Sequence, residues 1–133
     1  MRITAKSNYA LKLLVDIAEH RESGFVPLAD IAERQSISKK YLEQIVPMLI
    51  KGGLLRANRG NRGGYMLDVS PDKCSIGDIL RATEGCVLSF GIDADDTFQF
   101  VWKEVQQDVE KCVDRITLQD IIENKNGCFD YCI

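Results

Sequence analysis

The densest concentration of hydrogen-bonding chemistry lies in Ser38-Lys39-Lys40-Tyr41-Leu42-Glu43-Gln44, followed by a second cluster in Asn58-Arg59-Gly60-Asn61-Arg62-Gly63-Gly64. The first offers ammonium and amide donors that suit guanine and adenine acceptors, and a carboxylate that accepts from the cytosine amine. The second sets two arginines among glycines, a pattern suited to phosphates or a narrow minor groove. This is reversible, hydrogen-bonding chemistry. Covalent chemistry has little to build on: His20 is the only histidine, there is no C-x-x-C, and no nucleophile is paired with a base, so no enzyme is expected.

Two helices and a hairpin must hold those clusters. Ala29, Ile31 and Ala32 give a short apolar face after Pro27, and Ser36-Ile37-Ser38 interrupts it, with Ser38 suited to cap a second helix. Leu42, Ile45, Val46, Leu49 and Ile50 then recur at helical spacing and form a buried stripe opposite Ser38, Lys39, Lys40, Glu43 and Gln44. Pro47 should bend this helix, and Gly52-Gly53 should end it. Leu54 to Ala57 and Tyr65 to Val69 read as strands around the arginine loop. Each part alone is explained as a solvated helix face or an ordinary hairpin. Their order within some forty residues is that of a winged helix-turn-helix, and it predicts contact with double-stranded DNA.

The remaining elements frame this unit. A first helix is expected over residues 7 to 20, capped by Ser7, with Ala10, Leu13, Leu14, Ile17 and Ala18 inward and Lys12, Asp16 and Glu19 outward. Ser75 to Asp78 forms a capping box for a helix that ends near Gly85, and Thr117 to Asp120 opens a last short helix. Between them a helix from about Thr97 to Arg115 carries Phe98, Val101, Trp102, Val105, Val109, Cys112, Val113 and Ile116 along one side. At about 1.5 Å per residue it spans roughly 28 Å. So much apolar length is expected to pair with the same helix of a second copy, and the alternative is that it lies across its own domain. The expected fold is mostly α with a small β-hairpin wing: a winged helix-turn-helix over 1–85, then a dimerisation helix and a C-terminal tail region over 86–133.

A net charge of −3 argues against nucleic acid until the chain is divided. Residues 1–62 hold 11 Lys and Arg against 6 Asp and Glu, whereas residues 63–133 hold 6 against 14. A basic reading half followed by an acidic half fits a DNA-binding module joined to an assembly or sensing part. No apolar run approaches a membrane span, and the start lacks a signal peptide's apolar core, so a cytoplasmic location is expected. Among the five cysteines, Cys112 lies on the apolar stripe, and burial is the default for Cys74 and Cys86. Cys128 and Cys132, spaced C-x3-C near the end, are the candidates for a thiol switch.

Taken together, MRITAKSNYAL, PLADIAERQSISKKYLEQIV, RGNRGGYML, IGDILRATEG, the Trp102 helix and ITLQDI resemble, in that order, the bacterial regulators called the Rrf-two family. The resemblance covers nearly the whole chain. It implies a dimeric transcription regulator in which Ser38, Lys39, Lys40, Tyr41, Glu43 and Gln44 enter a major groove and Arg59 and Gly60, with Arg62 beside them, approach a minor groove. Members that sense through an iron-sulfur cluster carry three closely spaced cysteines before the long helix, and Val87 to Thr97 holds none here. No cofactor is therefore expected, the alternative being an unusual cluster that uses Cys86 and Cys112 with other ligands. The pattern looks more like the cluster-free CymR-like branch, which implies a repressor of sulfur and cysteine genes and a protein co-regulator such as a cysteine synthase. Two other readings stay open: a thiol-sensing or cluster-sensing regulator of the same family, and a winged-helix adaptor that binds protein instead of DNA.

Overall fold

The computed structural model describes residues 3–60 and 63–124. Helix α1 (Ala5–Glu19) runs through the middle of the core, with Ala10, Leu13, Leu14 and Ile17 fully buried. Thr4, not Ser7, is its cap: the Thr4 side chain accepts the Ser7 N–H. Ser7 lies one turn inside and is itself buried, where its hydroxyl meets Thr83 and Glu84 of a later helix. Sequence alone could not choose between two hydroxyl residues three apart, because the partners of Ser7 are about eighty positions away.

Helix α2 (Leu28–Gln35) ends at Ser36, which adopts a left-handed conformation with φ of 54°. Ile37 then drops into the core, and the Ser38 side chain accepts the Tyr41 N–H at 3.0 Å to start α3 (Lys39–Lys51), as its spacing predicts. Leu42, Ile45, Val46 and Leu49 are buried on α3, whereas Ile50 is 41% exposed and falls outside the expected stripe. Pro47 sits on an exposed position, and α3 continues through it to Lys51. Pro47 has no N–H to give the Glu43 carbonyl, and both residues lie on the exposed side of the helix.

Strands β1 (Leu55–Asn58) and β2 (Gly64–Leu67) form an antiparallel hairpin with Leu55 opposite Leu67 and Asn58 opposite Gly64. A third piece joins it that periodicity does not mark. Val26 and Tyr65 exchange both backbone hydrogen bonds at 2.8 Å, tying the hairpin to the segment that leads into α2. Gly64 is required by that approach, since a Cβ there would stand 2.6 Å from the Val26 carbonyl.

Helix α4 (Ile76–Glu84) begins with the expected Ser75–Asp78 capping box, and α6 (Leu118–Glu123) with the expected Thr117–Asp120 box. The two starts are stitched together: Ile76 N–H donates to Ile116 O, and Leu118 N–H to Cys74 O, both at 2.9 Å. Leu118 is fully buried in the main core against α1.

Between them, α5 (Gln99–Arg115) starts two residues later than expected. Its stripe is divided in two. Near the C-terminal end Val113 packs with Leu80, Val87 and Leu88, and Val109 borders that cluster, so the chain's own core uses this part. Towards the N-terminal end Phe98 and Phe100 are 62% and 69% exposed, and Val101, Trp102 and Val105 are about 40% exposed. Cys112 is exposed rather than in the core, as is Cys86, while Cys74 is fully buried. Cys112 precedes the inward Val113 by one position, about 100° around a helix, and that turns it out of the cluster.

Candidate nucleic-acid interface

The first turn and a half of α3 stands clear of the core. Ser38, Lys39, Lys40, Glu43 and Gln44 are all exposed. Tyr41 is half-buried and meets Tyr9 of α1 edge to face, with ring centroids 5.2 Å apart and planes at 85°. Arg59 and Gly60 are exposed at the end of β1, where the Gly60 N–H donates to the Asn58 side chain at 3.3 Å and turns the loop. Arg62, and the thiol-switch candidates Cys128 and Cys132, lie outside the described residues.

Helix and hairpin form the two walls of one cleft of about 810 Å³, with Lys39 and Glu43 on one wall, Arg59 and Gly60 on the other, and the start of α2 as its floor. Lys39 and Lys40 form no salt bridge among the described residues, so their ammonium groups are free for an anionic partner. Such an arrangement can donate and accept hydrogen bonds at base edges from α3, and place a guanidinium a short distance along the same duplex from the wing.

The residue that ties α2 to α1 was missed by sequence reasoning, which turned Asp16 outward. Asp16 is 1% exposed and holds the end of α2 to α1. Its Oδ1 accepts from Arg34 Nη2 at 2.7 Å; its Oδ2 accepts from Arg34 Nε at 3.0 Å and Gln35 Nε2 at 2.9 Å. Burial by itself raises the Asp16 carboxyl, but the hydrogen bonds from Arg34 and Gln35 and the nearby charges outweigh it and hold the group below the ordinary carboxylate value. Arg34 and Gln35 are the last turn before Ser36, so this network fixes where the turn begins and hence where α3 points. A carboxylate one position before the apolar Ile17 was the signal available; its partners on another helix were not.

Against this geometry the comparisons are specific. The family described as Rrf2, iron-dependent transcriptional regulator, matches residues 3–124. The chain belongs to the Rrf2 family. It is 35% identical to the HTH-type transcriptional regulator IscR of Pectobacterium carotovorum subsp. carotovorum strain PC1, over 94% of this chain and 81% of that relative. Among solved structures it is similar to CymR, the global cysteine regulator of B. subtilis, with a TM-score of 0.83 and 31% identity over 92% of this chain and 97% of that one. It is also similar to IscR of T. potens, with a TM-score of 0.77 and 33% identity over 98% and 94%. This Rrf2 protein is a DNA-binding transcription regulator with a winged helix-turn-helix, and no described helix is long and apolar enough to cross a membrane.

The family description raises iron, and the donors on this chain can be tested against it. An iron-sulfur cluster takes about four thiolates or equivalent ligands. Cys74 is enclosed in the core, where burial, with Asp78 adding to it, pushes its thiol up to about 12. Cys86 and Cys112 are exposed, the segment between Val87 and Thr97 has no cysteine, and no three His, Cys, Asp or Glu side chains stand together among the described residues. The described donor set does not fit such a cluster.

Proposed function

We propose that this chain is a homodimeric repressor that reads duplex DNA with paired α3 helices and wings. The single observation that carries the reading is the shared cleft, with the α3 first turn on one wall and the Arg59-Gly60 turn on the other. In this reading Lys39, Lys40 and Gln44 donate to purine acceptors, and Glu43 accepts from cytosine. Ser38 and Tyr41 set the depth of the helix in the groove, and Arg59, with Arg62, follows the adjacent minor groove or its phosphates. The exposed Phe98, Val101, Trp102 and Val105 support pairing of α5 across a two-fold axis, with Val109 at the edge of the contact and Val113 anchoring the helix to its own α4. Two-fold pairing would place two α3 helices on one face of the duplex. The likeness to CymR, the global cysteine regulator of B. subtilis, supports a set of sulfur or cysteine genes as the target.

The test is selection of duplexes from genomic fragments at low salt, followed by titration at rising salt with the wild type and Arg59→Ala. Steep loss of affinity with salt is expected, and Arg59→Ala should weaken binding by about 1 to 3 kcal/mol. Sedimentation should give the mass of two chains for the wild type and of one for Trp102→Glu. Affinity indifferent to salt and to Arg59→Ala would reject this reading in favour of an adaptor that binds protein.

A further inference from the structure

The wing is fixed at its base, and its arginine lies just beyond that base. Val26 and Tyr65 exchange both backbone hydrogen bonds at 2.8 Å, and Asn58 opposite Gly64 is the last pair of the β1–β2 ladder. Arg59 is the next residue, the first of the 59–63 loop, which includes Gly60 and Gly63. It is exposed and forms no salt bridge among the described residues, so no carboxylate sets the direction of its guanidinium. Glycines widen the range of backbone conformations open to such a loop, and ordering it against DNA would cost entropy.

Two contacts at Asn58 oppose that freedom. The Gly60 N–H donates to Asn58 Oδ1 at 3.3 Å and closes an Asx turn over Arg59. A backbone N–H can only donate, so the atom of Asn58 that meets it is the amide oxygen. From the other limb Gly63 packs so closely that a Cβ on it would stand 2.9 Å from the Asn58 carbonyl oxygen and 3.0 Å from that of Gly60. Both limbs of the loop therefore close on Asn58, one on its side chain and one on its carbonyl. Asn58 is itself exposed, so this hydrogen bond serves the loop and not the packing of the core.

We propose that Asn58 is the positioning residue for Arg59: its side chain sets the backbone of the wing before DNA arrives, so that the arginine meets its groove without first ordering the loop. The inference rests on the reading of Arg59 given above. Preorganisation raises affinity by cutting the ordering cost and adds no contact of its own. Its mark is dependence on the residue positioned: removing the turn weakens binding only while Arg59 is there to be aimed.

The test measures binding of the full chain to a duplex recovered by genomic selection, for the wild type, Asn58→Ala, Asn58→Ser, Arg59→Ala and the double variant of Asn58→Ala with Arg59→Ala. Asn58→Ala loses one hydrogen bond and should weaken binding about two- to tenfold. Asn58→Ser, whose hydroxyl can close the same kind of turn more weakly, should recover part of that loss. In the Arg59→Ala background, adding Asn58→Ala should cost nothing further. Losses that multiply in the double variant would show that Asn58 acts on DNA independently of Arg59, and would overturn the positioning role. Wild-type affinity in Asn58→Ala, with Arg59→Ala still weakened, overturns that role and leaves the interface standing. Wild-type affinity in both single variants overturns the role and the interface together. Asn58 is exposed, and circular dichroism melts should give its variants the wild-type Tm.

Discussion

The Asp16 network gives the sharpest prediction, because one atom change there should move both stability and its pH dependence. In Asp16→Asn one oxygen remains as an acceptor, and the other is replaced by an amide that faces guanidinium or amide N–H groups with no acceptor to offer. With the amide in place of Oδ1 the bond from Arg34 Nη2 is lost outright, and those from Arg34 Nε and Gln35 lose the charge that strengthens them; the opposite orientation loses two bonds. A hydrogen bond to a charged group contributes about 1.5 to 3 kcal/mol. The Arg34 side chain is 36% exposed and can turn to water, so the lower part of that range applies, about 2 kcal/mol. In a domain of this size that loss lowers Tm by roughly 8 °C at neutral pH.

The sign with pH follows from the depressed carboxyl of Asp16. A folded-state value below the unfolded one contributes stability that is complete above about pH 4 and lost as pH falls through the folded value. Asparagine does not titrate, so the gap in Tm between wild type and Asp16→Asn should narrow on acidification below about pH 4. Glu84, held low chiefly by the Thr4 hydrogen bond, and Asp114, held low by that from Arg81, titrate in both proteins and cancel in the difference. Thermal melts followed by circular dichroism across a pH series measure it. A gap under about 2 °C at neutral pH, or one that stays constant through acid, would refute the reasoning.

Two further predictions concern α4 and its surroundings. A Cβ on Gly77 would stand 1.9 Å from Asp114 Oδ1, the carboxylate that accepts from both terminal nitrogens of Arg81 at 2.8 and 2.9 Å. Gly77→Ala should therefore turn the exposed Asp114 carboxylate out of its Arg81 pair and cost about 1 kcal/mol or less in urea melts, and adding Asp114→Ala should cost little more; a loss well above that from Gly77→Ala would show that the helices themselves are crowded. The Cys74 thiol, fully buried and pushed up to about 12, should resist alkylation in the native protein at mildly alkaline pH and react once denaturant is added, while exposed Cys86 labels at once. Mass spectrometry of the labelled peptides distinguishes them, and native labelling of Cys74 as fast as Cys86 would contradict the packing.

Local chemistry was legible wherever a signal and its structural partner lie within a few residues. Ser38 and the Tyr41 N–H, Ser75 with Asp78, and Thr117 with Asp120 are such cases, because the cap and its partner are three residues apart. The order of short helix, turn, polar helix and glycine-supported hairpin likewise declared itself, since helix and strand periods differ. What could not be read was decided by contacts between distant residues. Val26 joined the hairpin through Tyr65, and Ser7 was taken from capping to meet Thr83 and Glu84.

The amino-acid sequence by itself determined the elements of the reading unit, the charge that separates its two halves and the absence of the cysteine trio before the long helix. Only the tertiary structure decided that Asp16 faces inward to Arg34, that the apolar stripe of α5 is shared between its own core and an open face, and that Cys86 and Cys112 are exposed while Cys74 is sealed. The reason is geometric: periodicity marks a side of a helix as apolar, but which neighbour covers each part of that side depends on chain segments far away in sequence.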